Sequence, residues 1–152
     1  MMTDYQLMYI NVDDATSKTY TISNSVNPAE IQVREFMTEM KQVIGNEPRF
    51  RDRILREHLI RKEYEEWVKA FDEDNFVEAI DALADMAYVI LGTFIAFGVD
   101  FQIIMNEVHR SNMAKNGDSK DDRGKVLKPE RWTPPDIEGY LTQMGWQGNE
   151  IK

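Results

Sequence analysis

Residues 62–85 read KEYEEWVKAFDEDNFVEAIDALAD, and the fold follows from how this stretch is read. Residues three or four apart on a helix share a face. Glu63 and Glu66 therefore project together from one helix. After the acidic break Asp72–Asn75, Glu78, Asp81 and Asp85 fall at i, i+3 and i+7 of the next helix. At 100° per residue they form a stripe roughly 60° wide. The helix carrying that stripe is apolar on nearly every other side, through Val77, Ile80, Leu83, Ala84, Ala87, Tyr88, Ile90, Leu91, Phe94 and Ile95. Such a helix is expected to be mostly buried. Acids along a buried face repel one another in low dielectric, and bound divalent cations remove that cost. Glu63, Glu66, Glu78, Asp81 and Asp85 are thus the expected ligands of a carboxylate cage for a hard cation such as Mg²⁺. Glu78 has a second possible role. Asn75 reads as an N-cap, which makes Glu78 the N3 residue of a capping box.

Outward from this centre the helical pattern continues. Asn27-Pro28 marks a helix start with proline at its first position, and Ile31, Val33, Phe36, Met37, Met40 and Val43 carry helical spacing up to Gly45. Asn46, Glu47 and Pro48 break the chain. A second helix is expected from about Arg49 or Arg51 to Phe71, and a third from Phe76 to Phe97 with Gly98 as its stop. A fourth runs from Phe101 to about Met113, and a short final helix starts near Pro135. The fold class is all-α: a four-helix bundle with a short N-terminal extended arm and a C-terminal loop. Residues 1–27 read as an arm or hairpin, from the β-prone runs Gln6–Val12 and Thr19–Ser23. Residues 28–152 read as the helical domain with its tail.

Composition narrows the function. A chain of 152 residues with net charge −9 points away from nucleic acid or an anionic membrane surface as partner. It leaves a phosphate ligand open, because a cation-filled cage reverses the local sign. With no cysteine there is no disulfide or thiolate metal site, which fits a reducing cytoplasm. The N-terminus has no signal-peptide pattern. The apolar run Ala82–Val99 contains Asp85 and reads as a core helix rather than a membrane span. A di-iron carboxylate bundle wants Glu three residues before each His. Leu55 and Asn106 stand there instead, ahead of His58 and His109. No Walker-type loop or Ser-His-Asp arrangement is present.

Three basic clusters suit phosphates. Lys115 lies beside Asn112 in SNMAK. Lys120, Arg123, Lys125 and Lys128 lie in the following loop. Arg51, Arg53, Arg56, Arg61 and Lys62 lie at the start of the second helix. Trp67 and Trp132 are candidates for stacking on a base, with a core position the alternative for Trp67.

Glu63-x-x-Glu66, an acidic pair ending at Asp85, then MAYVILGTFIAFGVD (86–100) and VHRSNMAK (108–115) together resemble the all-α nucleoside triphosphate pyrophosphohydrolases. These are the MazG-like and phosphoribosyl-ATP pyrophosphohydrolase-like proteins. The resemblance covers roughly residues 31–140. SNMAK followed by GKVLKPERWTPPDIE (124–138) is similar to the phage branch of MazZ type, which acts on dGTP and GTP. The family signature is Glu-x-x-Glu, a spacer, then Glu-x-x-Asp. The first half matches at Glu63 and Glu66. The second half has two registers: Asp85 as the final Asp, with Ala82 at the Glu position and Asp81 as substitute, or Glu78-x-x-Asp81 with Asp85 added.

The resemblance implies hydrolysis between the α- and β-phosphates of a nucleoside triphosphate. Two or three Mg²⁺, with Mn²⁺ able to substitute, would assist, and Glu63 or Glu66 would orient or deprotonate the attacking water. It implies phosphate contact by Lys115, and a homo-oligomer, dimer or dimer of dimers, with sites near subunit interfaces. The same reaction on dUTP, dCTP or a modified nucleotide is one competing expectation, and a non-catalytic helical interaction protein is the other. Melting with and without Mg²⁺ or Mn²⁺ plus nucleotide separates enzyme from interaction protein, since a ligand of the folded state raises the melting temperature.

Overall fold

The computed structural model describes residues 27–149. The chain runs α1 (Pro28–Glu39), α2 (Arg53–Asp72), α3 (Phe76–Phe97), α4 (Phe101–Met113), β1 (Asn116–Lys120), β2 (Val126–Leu127) and α5 (Ile137–Gln143). It is a helical protein with one small two-stranded sheet, as the all-α reading expects. The proposed arm at residues 1–27 lies outside the described residues except for Asn27. The described residues form two compact units, 27–101 with 144–149 and 102–143.

In the first unit each helix boundary has a local cause. Asn27 Oδ1 accepts from the Ala29 amide at 3.0 Å, and Pro28 occupies the first turn. α1 ends at Glu39, short of the expected Gly45. Lys41 takes the left-handed conformation (φ 54°), and the Gln42 amide turns back to Met37 O at 2.8 Å. Residues 45–49 then dock on the end of α3: the Gly45 amide donates to Ile95 O and the Arg49 amide to Phe97 O, both at 3.0 Å. Gly98 ends α3 with φ 70°, and a Cβ there would meet Glu47 O at 2.3 Å. Asp52 is also left-handed (φ 49°), which delays the start of α2 to Arg53.

α2 and α3 pack against each other across the tight turn 73–75, where the Asn75 amide reaches Ala70 O at 2.9 Å. Asn75 Oδ1 caps α3 by accepting from the Glu78 amide. α1 packs on α3 from another side. Val33, Met37, Leu91, Ile95 and Ala96 form the core, with Phe97 and Phe101 against it.

The expectation that α3 would be mostly buried is corrected. Ala82, Leu91, Gly92, Ile95 and Ala96 are buried, but Phe76 is 76 % exposed and Val77, Ile80 and Leu83 are exposed too. A helix apolar on all sides offers more surface than two neighbouring helices cover. α2 likewise exposes Ile54, Leu55 and Phe71.

In the second unit the segment after α4 is not a plain loop. β1 and β2 pair antiparallel, Asn116 opposite Leu127 and Lys120 opposite Val126, with an irregularity between. Asp121 makes the turn. Its Oδ1 accepts from the amides of Arg123 (3.0 Å) and Lys125 (2.8 Å), and Gly124 supplies φ 80°. This is an Asx turn, a side chain standing in for a backbone acceptor.

Candidate active site

α2 buries two charged residues seven positions apart. Arg56 is 3 % exposed and Glu63 6 %. Both line a cavity of about 320 Å³ in the first unit. Its apolar walls include Phe36, Met37, Leu59 and Tyr88, and its polar positions are Gln42, Arg56, Glu63 and Asp85. Phe36 and Tyr88 meet edge to face at 5.7 Å. Among the described residues, Glu63 Oε2 and Arg56 Nε have no hydrogen-bond partner. Buried polar atoms are rarely left so, and these two lie in one cavity.

The other atoms of both side chains are engaged. Arg56 Nη2 donates to Gln42 Oε1 at 3.0 Å. Gly92 leaves room for the guanidinium, since a Cβ there would sit 3.2 Å from Nη1. Burial pushes Arg56 below its usual range, against a weaker opposing effect of Asp52, and it remains charged at neutral pH. Lys62 Nζ donates to Glu63 Oε1 at 3.1 Å and lies 2.7 Å from Glu66 Oε1. That ammonium holds Glu66 below the usual carboxylate range, with Glu63 as a further hydrogen-bonding neighbour. A cationic head thus bridges the carboxylates of the Glu-x-x-Glu pair. This donor set suits a hard cation.

Asp85 lines the cavity with Glu63 while remaining exposed, as Asp81 and Glu78 are on α3. Glu78 is the N3 residue its capping-box reading required, with its amide on Asn75. Among the described residues no three carboxylates or histidines converge on one point. Glu63 and Glu66 share the Lys62 ammonium, and Glu63 and Asp85 line one cavity.

The phosphoribosyl-ATP pyrophosphohydrolase family matches residues 33–112, just over half of the chain, from α1 through α4. The chain belongs to this family. No curated protein matches it. The family is one of nucleotide pyrophosphohydrolases, and this is the class of activity that membership gives the chain. The matched span contains Arg56, the Glu63–Glu66 pair, Asp85 and Asn112.

The basic residues expected near α2 mostly have protein partners. Arg51 Nη1 donates to Glu47 O at 2.8 Å, Arg53 lies 4.6 Å over the Phe50 ring, and Arg61 bonds Glu57. Sequence reading placed Arg56 among these cations, but gave no sign that it would be the buried one with a spare donor. Trp67 sits in an aromatic row on α2, 6.2 Å from Tyr64 and 5.7 Å from Phe71.

In the second unit, Lys115 Nζ donates to Asn112 Oδ1 at 2.6 Å. Lys125 is exposed in the hairpin turn. The segment 132–136 is fastened to α4 by contacts the sequence did not announce. Buried Glu107 accepts from Arg110 Nε (2.8 Å) and Nη2 (2.7 Å), and from the Asp136 amide (2.8 Å). Arg110 first, then the Asp136 amide, draws the Glu107 carboxyl below its usual range against burial. Ser111 Oγ donates to Thr133 O at 3.0 Å. Trp132 Nε1 donates to Ser111 O at 2.8 Å, with Lys128 Nζ 4.0 Å over its ring.

Proposed function

We propose that the chain hydrolyses a nucleoside triphosphate between the α- and β-phosphates, releasing pyrophosphate, with dGTP and GTP as substrates, and that it is of the MazZ type. The observation that carries the proposal is that Glu63, whose buried Oε2 has no partner among the described residues, lines one cavity with Asp85, within the span matched by a pyrophosphohydrolase family.

Glu63, Glu66 and Asp85 would hold Mg²⁺ or Mn²⁺, two or three ions with Asp81 and Glu78 as further ligands on α3. The metal supplies charge neutralisation of the phosphates and Lewis acidity toward their oxygens. Lys62, which spans Glu63 and Glu66, would yield its place to a bound cation. Glu63 or Glu66 would orient or deprotonate the attacking water. The water oxygen bonds the α-phosphorus as the bond to the bridging oxygen breaks, and pyrophosphate carries away the electron pair. In the second unit Lys115, hydrogen-bonded to Asn112, and Lys125 are the proposed phosphate contacts.

The exposed apolar residues of α2 and α3 support a homo-oligomer, dimer or dimer of dimers. α3 is long and apolar enough to cross a membrane. Glu78, Asp81 and Asp85 along it would be costly in hydrocarbon, so covering by another copy is the better account. With net charge −9 we place the protein in the cytoplasm, away from nucleic acid and membranes.

The test is pyrophosphate release from a panel of NTPs and dNTPs with Mg²⁺, beside Glu66→Gln. Fast release from dGTP and GTP, lost in the variant, supports the proposal. Release led by another base overturns the substrate, and no release at all overturns the activity.

A further inference from the structure

The cavity that holds Glu63 and Asp85 is chemically polarised. Glu63 and Asp85 bring carboxylates to its lining. Seven residues of helix separate Glu63 from Arg56, about 10 Å of rise, roughly the reach of a nucleoside from its 5′-phosphate to the far edge of its base. Arg56 and Gln42 bring donors. Arg56 Nε is buried and has no partner among the described residues. Gln42 uses its carbonyl oxygen to accept from Arg56 Nη2, which turns its amide NH₂ into the group left for a ligand. Aromatic and aliphatic walls, Phe36 and Tyr88 among them, complete the lining.

We infer that Arg56 and Gln42 are the specificity-determining residues of this site, and that they read the acceptor edge of a 6-oxopurine. This rests on the nucleotide reading above and deepens it. Guanine and hypoxanthine place two acceptors, O6 and N7, side by side, and a guanidinium is a well-matched donor for that edge. Adenine places an amino donor beside N7. Against a donor-only wall that amino group strands buried donors without acceptors, and a site built in this way rejects the wrong partner strongly. Gly92 belongs to the same arrangement, because any larger residue would push the guanidinium out of place.

The experiment measures equilibrium binding of dGMP, dIMP and dAMP to the full chain, with no hydrolysis required, for the wild type and for Arg56→Met, Arg56→Lys and Gln42→Leu. Pyrophosphate release is followed in parallel. In the wild type dGMP and dIMP bind at least tenfold tighter than dAMP. Arg56→Met and Gln42→Leu close that gap, while Arg56→Lys keeps part of it. Gln42 lies outside the helices, so Gln42→Leu decides the matter even if Arg56→Met fails to fold. No gap in the wild type, or a gap unchanged in the variants, overturns the inference whether or not the protein hydrolyses dGTP. A gap lost in the variants of a protein that releases no pyrophosphate upholds the inference and removes the activity instead.

Discussion

Arg56 and Glu63 stand two turns apart on α2, line one cavity, and each keeps a buried polar atom without a partner among the described residues. A fold that needed only stability would not leave both. Burying a charge costs several kcal/mol unless it is paired, and an unmade hydrogen bond adds about 1–3 kcal/mol. Lys62 partners Glu63 and Gln42 partners Arg56, so the unmade bonds at Oε2 and Nε are the part of that cost a ligand would relieve.

Glu63→Gln follows directly. The amide keeps the shape, removes a buried charge and still accepts from Lys62. In metal-free buffer the variant should melt higher than the wild type, by a few degrees for a gain of about 1 kcal/mol. It should lose hydrolysis by at least roughly a hundredfold, the scale of losing one catalytic carboxylate, and lose any rise in melting temperature on adding Mg²⁺. Lower stability with activity retained would show that Glu63 is a structural acid.

Lys62 holds the Glu63–Glu66 pair in the absence of a cation. Lys62→Met should lower the melting temperature in chelator, because two carboxylates then face each other unscreened. It should enlarge the stabilisation on adding Mg²⁺, because the metal no longer competes with an ammonium. Thermal melts over a magnesium titration check both signs. Equal shifts in wild type and variant would mean that Lys62 and the metal do not share a place.

In the second unit the prediction concerns acid. Arg110 and the Asp136 amide lower the folded-state pKa of Glu107. A depressed carboxyl contributes stability above the ordinary carboxylate range and loses it as pH falls through the lowered value. The segment 132–136 should then detach from α4 only once the pH has fallen below the ordinary glutamate range, read as faster exchange of the Asp136 amide. Glu107→Gln should show the faster exchange already at neutral pH and a flatter acid limb.

The helix ends were legible because their causes are local. Asn27-Pro28 and Asn75 are caps, Gly98 is a stop, and all three lie where the sequence puts them. The Glu63–Glu66 pairing was legible from spacing. Three other features were not. The burial of Arg56 depends on Gly92, a residue 36 positions away, whereas sequence shows only five cations in a row of turns. The hairpin at 116–127 has no β alternation, and rests on one carboxylate accepting two amides at Asp121. The exposure of α3 escaped because an all-round apolar helix reads as buried whether or not this chain alone can cover it. That leaves the register of Glu78, Asp81 and Asp85 set by whatever packs on α3.

Gly92 gives the sharpest separation of stability from function. Within a helix, Gly→Ala ordinarily gains about 0.5–1 kcal/mol from the unfolded state. Here the added methyl would sit 3.2 Å from Arg56 Nη1, which must give by a few tenths of an ångström, and in ordinary contact with Met37 Sδ at 3.4 Å. Overpacking of this kind costs about 1–3 kcal/mol, but both neighbours are the ends of flexible side chains and can move. The two effects should nearly cancel, leaving Gly92→Ala with a melting temperature close to that of the wild type. The displaced guanidinium should still weaken dGMP binding, and the loss should exceed that for dAMP. A Gly92→Ala protein that melts normally and binds both nucleotides as before would show that the position of Arg56 does not matter to recognition. One that melts far lower would show that Gly92 is there for helix packing alone.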